Sequence, residues 1–596
     1  MTLVTSLILR QMRAPLIILI LGYSITILGM VVTPGIDDQG NVWYMSFFEA
    51  FYFVSFTATT IGFGEIPYPL SNAQRVWALI TIYITVISWF FALGKILTLI
   101  QDPTYREAAR KNTYARNLQN IHEKFFLICG FGETGHALVQ ALSERQIRSA
   151  IIEQDNNKVK TLPLIDYSVF VPGMQGDARD PNQLIAAGLK HRHCAAVIAV
   201  TASDETNLKI AISSKLLNPK VNVICRSEIK DFEENMFSFG TDYVINPYET
   251  FANIFAMVMQ SPSLHLLYDW LTGVPDTKLT NPLYIDQGHW VICGFGRFGQ
   301  GLFRHICKLD IPVTIIDPSE ETREQFLSWP ENKNNDFILG TGFDAHTLTL
   351  AGIEHAVGLV SGTDDDSNNL SIIMTAREIN KDVFVVARQN KKTNQQLFEA
   401  SKSDIIMQPS DIIARKIRTL LTSPLLESFL NKAQQQDNEW SNIAISRLSG
   451  ILGEHRPSTW SVEVTETRAK ALYRVLKYGR VIRIGNLLQD PRQKEHKLSS
   501  VALLLKRGNQ IMLMPTDDIA IKSGDQILYC GTANAERSMK WTLNDIHSLN
   551  YVMTYEDAPE SLVWKLLHMR KKRKERRNRP RQAHKRFIGK KDSHES

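Results

Sequence analysis

The first 128 residues contain no cysteine, and the six that follow, Cys129, Cys194, Cys225, Cys293, Cys307 and Cys530, lack metal-ligand spacing. This argues against a disulfide-stapled secreted domain and a zinc module, and reads as reduced thiols in a cytosolic body. Lys and Arg are absent from Ala14 through Gln74, which argues against an ordinary solvated surface there. An excess of positive charge is also missing from the body as a whole. The chain of 596 residues carries a formal +6, but the last 27 residues, from Arg570, hold 13 Lys or Arg against three acids. The remainder is therefore net negative. The tail RKKRKERRNRPRQAHKRFIGKK reads as disordered, equally a solvated segment or one drawn to anionic lipid or nucleic acid. No nucleic acid is expected among the partners of the chain.

What is present at the N-terminus is apolar. Pro15 to Val32 runs 18 residues without a charge, roughly 27 Å as a helix and close to the hydrocarbon thickness of a bilayer. A cleaved signal peptide is the competing reading, disfavoured by the length of the run and the lack of a clear small-residue cleavage site. A second run, Val76 to Ile100, carries only Lys95, near its end, where the side chain can snorkel. Arg10 and Arg13 precede the first span, and Arg106, Arg110, Lys111 and Arg116 follow the second. The positive-inside rule then predicts a multi-pass protein of the cell inner (plasma) membrane with both termini cytoplasmic.

Between the spans, SFFEAFYFVSFTATT is apolar but too short to cross. Such a segment can dip into the membrane and return only where its backbone is buried in protein or faces water. If the dip ends in Thr60, Ile61, Gly62, Phe63 and Gly64, the glycines permit backbone conformations that point successive carbonyls one way. A row of carbonyls along a watery axis replaces the hydration shell of a cation. One chain cannot surround an ion, so a ring-shaped homo-oligomer is expected. Asp37 and Asp38 in the outer loop are either a solvated turn or a means of concentrating cations at the mouth. Gly94 in the second span is a candidate gating hinge and equally a close-packing site.

TATTIGFGE, Thr57 to Glu65, is similar to the potassium-channel signature TxxTxGYG followed by an acid. The resemblance implies a homotetramer in which Thr60, Ile61, Gly62 and Phe63 supply the filter carbonyls to K+, with the Thr60 hydroxyl at the inner end. Three positions depart from the usual pattern. Phe63 stands where Tyr is common, Glu65 where Asp is usual, and Phe56 where some channels place a filter-bracing carboxylate.

Beyond the spans the chain repeats itself. FFLICGFGETGHALVQAL from Phe125 matches HWVICGFGRFGQGLFRHI from His289, an offset of 164. Gly130, Gly132, Gly135 and Glu153 match Gly294, Gly296, Gly299 and Asp317. Further on, TASDETN at Thr201 is set against GTDDDSN at Gly362, and Asp177-Ala178 against Asp344-Ala345. Short β-branched runs (Ala195 to Val200, Val221 to Cys225, Val383 to Ala387) alternate with amphipathic stretches, the pattern of a parallel α/β sheet. Each GxGxxG follows an apolar strand, opens a helix and precedes an acid ending another strand, which makes it a dinucleotide fingerprint. The glycines bring backbone N–H groups to a phosphate at a helix N-terminus, and the acid accepts hydrogen bonds from a ribose.

The candidate nucleotide contacts are Gly130, Phe131, Gly132, Glu133, Thr134 and Gly135 with Glu153, Asp177, Ala178 and Thr201 in the first copy. In the second they are Gly294, Gly296, Arg297, Phe298 and Gly299 with Asp317, Asp344, Ala345 and Gly362. The pockets differ: Arg297 can meet a pyrophosphate, whereas Glu133 repels one unless it points away. An acid at the ribose position favours NAD or an adenine nucleotide (ADP, ATP) over NADP. Ca2+ is a further candidate ligand, at Asp364-Asp365-Asp366 or Asp517-Asp518. No EF-hand spacing is present, solvated acidic loops are the better reading, and no metal site is assigned.

The repeats also resemble RCK domains, the regulators of K+ conductance, which implies a cytosolic gating ring. The resulting fold class is an α-helical transmembrane pore domain, two Rossmann-like RCK domains and one small α+β C-terminal lobe. The expected boundaries are a pore domain at 1–100 (spans 15–32 and 76–100, pore helix and filter 46–65) and a linker at 101–123. The first Rossmann domain follows at 124–264, a connector at 265–287 and the second Rossmann domain at 288–430. A lobe at 431–545 and a helix with the basic tail at 546–596 complete the chain. The expected function is a ligand-gated potassium channel in the membrane lipid, not an enzyme. The alternatives are a membrane-anchored NAD-dependent oxidoreductase, a regulatory subunit of a K+ transporter, and a nonselective cation channel.

Overall fold

The computed structural model describes residues 3–273, 277, 283–493 and 496–554; the basic tail, and parts of the expected connector and lobe, lie outside the described residues. The chain divides into two compact units, residues 1–128 with 148–197 and residues 129–147 with 198–596, and the boundary runs through the first six-stranded sheet.

In the first unit two long helices, Leu3–Val32 and Asn72–Gln101, flank the short helix Phe47–Ala58. Within the long helices, Met12–Val32 and Asn72–Thr98 are long and apolar enough to cross a membrane. The long helices pack closely because glycine faces bulk: a Cβ on Gly29 would fall 1.9 Å from the Trp77 ring, and one on Gly22 would meet the Ser88 hydroxyl at 3.0 Å. Trp77 Nε1 donates to the Thr26 carbonyl at 3.0 Å, so the indole is satisfied as well as packed. The short helix opens on a capping box, with Ser46 N donating to Glu49 Oε2 at 2.7 Å and Glu49 N to Ser46 Oγ at 3.3 Å. Ala50, Phe53, Val54 and Phe56 of this helix join Ile27 and Met30 in one apolar cluster.

The linker helix Pro103–Gln119 follows the second span almost directly. It is fastened to the first repeat by Tyr114, whose buried hydroxyl donates to the Ala187 carbonyl at 2.8 Å. Leu118 packs beside Gly188 and Phe125, and Arg110 donates to Asn156 Oδ1 at 3.1 Å.

Each repeat forms a six-stranded sheet. In chain order within a repeat the strands lie 3-2-1-4-5-6, the doubly wound arrangement that places ligands at the carboxyl ends beside the central strand. The expected strands sit within one residue of the observed ones, Cys194–Ala199, Asn222–Arg226 and Phe384–Arg388. Each repeat also lends a helix to the other: Pro247–Gln260 packs on the glycine-loop helix Arg297–Cys307, and Pro409–Thr422 packs on Glu133–Ser143. A single antiparallel sheet, ordered Ser458–Glu463, Gln526–Gly531, Ser500–Arg507, Gln510–Leu513, forms the C-terminal lobe.

Candidate functional site

The first site is the segment that follows the short helix. Thr60, Gly62 and Gly64 have φ of +61°, +66° and +74°, whereas Ile61 and Phe63 between them lie outside the left-handed region. An alternating backbone of this kind turns successive carbonyls toward one side, and glycine adopts it at little cost. Thr60 does not, and its left-handed φ stores on the order of 1 kcal/mol. The segment is held from behind, since Ile61 N and Gly62 N both donate to the Phe56 carbonyl, at 3.1 and 3.3 Å.

The side chain of Phe56, standing where a bracing carboxylate is sometimes found, is buried edge-on against Tyr52 and Phe53, with centroids 5.4 Å away in each case. Tyr52 in turn donates its hydroxyl to Glu65 Oε2 at 3.2 Å, tying the short helix to the residue just beyond Gly64. Sequence reasoning missed Tyr52. The available signal was an aromatic one helical turn before Phe56 that carries a donor where Phe63 has none.

Gly94 sits in an unbroken helix, and among the described residues nothing outside its own helix backbone lies within 4 Å of where a Cβ would stand. Thr98 Oγ1 donates to its carbonyl at 2.8 Å, a back-bond that favours bending at this point. Asp37 closes the turn between the first long helix and the short one, accepting from Gln39 N at 2.9 Å and Asn41 N at 2.8 Å. These backbone hydrogen bonds, that from Asn41 foremost, lower its pKa.

The second site is the pair of glycine loops. In the second repeat Gly294 has φ +92° and Gly299 has no room for a side chain, since a Cβ would stand 2.1 Å from the Gly294 carbonyl oxygen. Gly296, the N-cap of the helix, faces open space. The corresponding Gly130 has φ +100° and lies against Thr201, and Gly132 likewise faces open space. Asp317 accepts from Phe295 N at 2.8 Å and Ser319 N at 3.0 Å, which leaves about half of its lone-pair positions for a ligand. Glu153 accepts from Asp155 N at 2.9 Å.

Asp177 and Asp344 serve the local backbone. Asp177 is gripped by Arg179, with a shortest contact of 2.7 Å. Asp344 caps its helix through Thr347 N at 2.9 Å and Thr347 Oγ1 at 2.6 Å, and these bonds lower its pKa. Ala178 is buried, and Ala345 opens the helix that Asp344 caps. Among the remaining loop positions, Thr134 and Phe298 are buried core residues.

One correspondence between the repeats must be corrected. The counterpart of Thr201 is Thr363, not Gly362. Asn207 Oδ1 accepts from Thr201 N at 3.0 Å and Oγ1 at 2.8 Å, and its Nδ2 donates to Thr201 O at 3.1 Å and Arg226 O at 3.0 Å. Asn369 repeats the clasp with Thr363 N and Oγ1 (2.9 and 2.7 Å) and with the carbonyls of Thr363 and Arg388 (3.0 and 2.8 Å). Both asparagines are fully buried, so they fix the loop ends at the sheet edge where the glycines lie.

The charged residues at the starts of the two helices both have partners from the other repeat. Glu133 Oε1 accepts from Lys392 N at 3.2 Å, and Arg297 Nη1 meets Glu228 Oε2 at 2.7 Å. The acid runs proposed for Ca2+ are occupied similarly. Asp364 pairs with Arg388 at 2.5 Å, and Asp365 caps a helix by accepting from Asn368 N at 3.0 Å. Asp366 accepts from Asn390 N and Lys391 N at 2.6 and 3.0 Å. Asp517 and Asp518 pair with Lys497 and Arg483 at 3.0 and 3.2 Å. Among the described residues no group of three or more His, Cys, Asp or Glu is arranged to hold a metal ion. The cysteines are free thiols, and burial pushes those of Cys194 and Cys307 up to about 12.

Comparison with known proteins separates the same two parts. Residues 15–102 match the ion channel family model, and residues 126–247 and 290–409 each match the TrkA-N domain. The chain thus carries an ion channel segment followed by two TrkA-N domains. A potassium channel protein 1 of Methanocaldococcus jannaschii is 24% identical to this chain over 254 residues, 43% of this chain and 66% of that one. An uncharacterised protein of Methanothermus fervidus is 29% identical over 227 residues, 38% of this chain and 34% of that one. The chain thus spans about two thirds of the first of these curated relatives and about a third of the second. A solved GsuK channel bound to NAD aligns over 91% of this chain and 99% of its own at 15% identity, with a TM-score of 0.46.

Proposed function

We propose that the protein is a homotetrameric potassium channel of the cell inner membrane, with both termini cytoplasmic, gated by a nucleotide at its glycine loops. The observation that carries the reading is the alternation of left-handed φ at Thr60, Gly62 and Gly64 in a segment tethered behind a helix too short to cross a bilayer. Four such segments about an axis provide rings of carbonyls from Thr60, Ile61, Gly62 and Phe63, with Tyr52 and Glu65 as the brace. NAD, ADP or ATP is the ligand, through Gly296 and Arg297 at the phosphates and Asp317 at the ribose in the second repeat, with Gly132 at the phosphates in the first. The linker helix, anchored through Tyr114, carries ring motion to the second span, where Gly94 bends. A ligand gates only by binding one state more tightly than the other.

The reversal potential of the reconstituted protein in mixed K+ and Na+ tests the pore: a value near the K+ equilibrium potential is expected, and one set equally by both ions contradicts the selectivity. NADH oxidation with added acceptors is expected to be absent.

A further inference from the structure

Between the two repeats lies a cluster of three arginines around one largely buried acid that neither glycine loop needs for its fold. Arg226 ends the fifth strand of the first repeat, Arg388 ends the fifth strand of the second, and Arg297 opens the second glycine-loop helix. Tyr248, from the helix the first repeat lends to the second, lies among them. The guanidinium of Arg388 is 5.1 Å from its ring centroid and that of Arg297 is 5.7 Å away, and Arg388 Nη2 donates to its hydroxyl at 3.1 Å. Burial raises the pKa of this phenol, and Arg388 opposes the rise.

The acid is Glu228. One of its oxygens is paired with Arg226 and the other with Arg297, the latter at 2.7 Å. Side-chain exposure separates the partners: Glu228 is 12% exposed, Arg226 17% and Arg297 51%. Stripping a buried carboxylate of its only cation is costly. Here the departure of Arg297 still leaves Glu228 with Arg226, so the more exposed arginine can leave without orphaning the charge. The three guanidiniums are set against Glu228, the largely exposed Asp364, and Asp204, whose Oδ2 accepts from Glu228 N at 2.9 Å. The Nε groups of Arg226 and Arg388 are buried without partners, which marks a site electrostatically short of anionic oxygen.

We propose that Arg297 is a two-position cation: without ligand it clamps Glu228 of the first repeat, and a phosphate at the Gly294–Gly299 loop draws it away, releasing the link between repeats. Glu228 is thus an internal competitor for the phosphate of an adenine nucleotide, and occupancy of the second loop is reported to the first repeat through one side chain. The arrangement has a mirror without the switch, because the matching residue of the first loop, Glu133, takes a backbone N–H of the second repeat and has no attraction for phosphate. The inference rests on nucleotide binding at the second loop.

The test is calorimetric titration of the full-length protein with NAD, ADP and ATP in a double-mutant cycle. Glu228→Gln removes the competitor and is expected to tighten binding by about fivefold. Arg297→Ala is expected to weaken it, and Glu228→Gln added to Arg297→Ala is expected to change nothing further. The cycle isolates the second loop because Arg297 belongs to that loop alone. Glu228→Asp, which shortens the arm and keeps the charge, gives the same direction and serves if the glutamine variant does not fold. If wild type binds nucleotide and both Glu228 variants bind equally or more weakly, the switch is overturned while the nucleotide reading stands. Tightening that persists in the Arg297→Ala background also overturns it. If wild type binds none of the three nucleotides, the nucleotide reading falls and the switch with it.

Discussion

The two repeats keep the same frame and differ where the frame meets a ligand. Strand order, the left-handed first glycine and the asparagine clasp are common to both, down to hydrogen bonds that agree within about 0.2 Å. At the first residue of the glycine-loop helix, however, one copy has Glu133 and the other Arg297, and one turn later His136 stands against Gln300. Buried polar networks resist change because leaving one member unpaired costs the whole desolvation penalty. A largely exposed helix-start residue, such as Arg297 at 51%, carries less of that cost even where it has a partner, so duplicated domains with one architecture acquire unlike pockets.

The comparison is broken most completely at Gly299. Gly299→Ala would place a methyl 2.1 Å from the Gly294 oxygen, so thermal unfolding is expected to show a loss of roughly 3 kcal/mol and titration a loss of the second nucleotide site alone. The shared frame is tested next: Asn207→Ala and Asn369→Ala each remove a buried clasp and should each cost about 2 kcal/mol in denaturant unfolding. A large inequality between them would show that the frames are not equivalent.

A charge exchange sharpens the difference. Glu133→Arg should tighten nucleotide binding at the first loop, and Arg297→Glu should weaken it at the second, each by about tenfold in titrations. The smallest effect is in pH. Burial, helped by Lys392, holds the His136 pKa below its ordinary value. The unfolded chain therefore takes up a proton that the folded one resists, and stability falls as pH drops through about 6.5, the unfolded value. Unfolding midpoints between pH 8 and pH 5 should show this loss, and His136→Gln should diminish it.

Much of this was legible in the sequence. The two apolar runs, the short intervening helix and the strand positions follow from hydrophobic length and period, which are local properties. The left-handed positions at Gly62, Gly64, Gly130 and Gly294 follow from glycine itself. What could not be read is nonlocal. Glu228 meets Arg297 because each repeat lends a helix to the other, and no spacing in one copy encodes a partner in the second. The equivalence of Thr201 with Thr363 was hidden because the offset between copies falls from 164 at the glycines to 162 at the clasp. Only the hydrogen bonds of Asn207 and Asn369 reveal it. Tyr52 was passed over because its role depends on the return of the chain to Glu65 after the loop.

The central claim, that the glycine loops control a K+ pore, is tested most directly by recording currents from the purified protein in liposomes while NAD, ADP or ATP is added to the cytosolic face. The account predicts a K+-selective current whose open probability changes with at least one nucleotide, and a weaker response when two glycines are inserted into the 101–123 linker. A K+ current indifferent to all three nucleotides would contradict it.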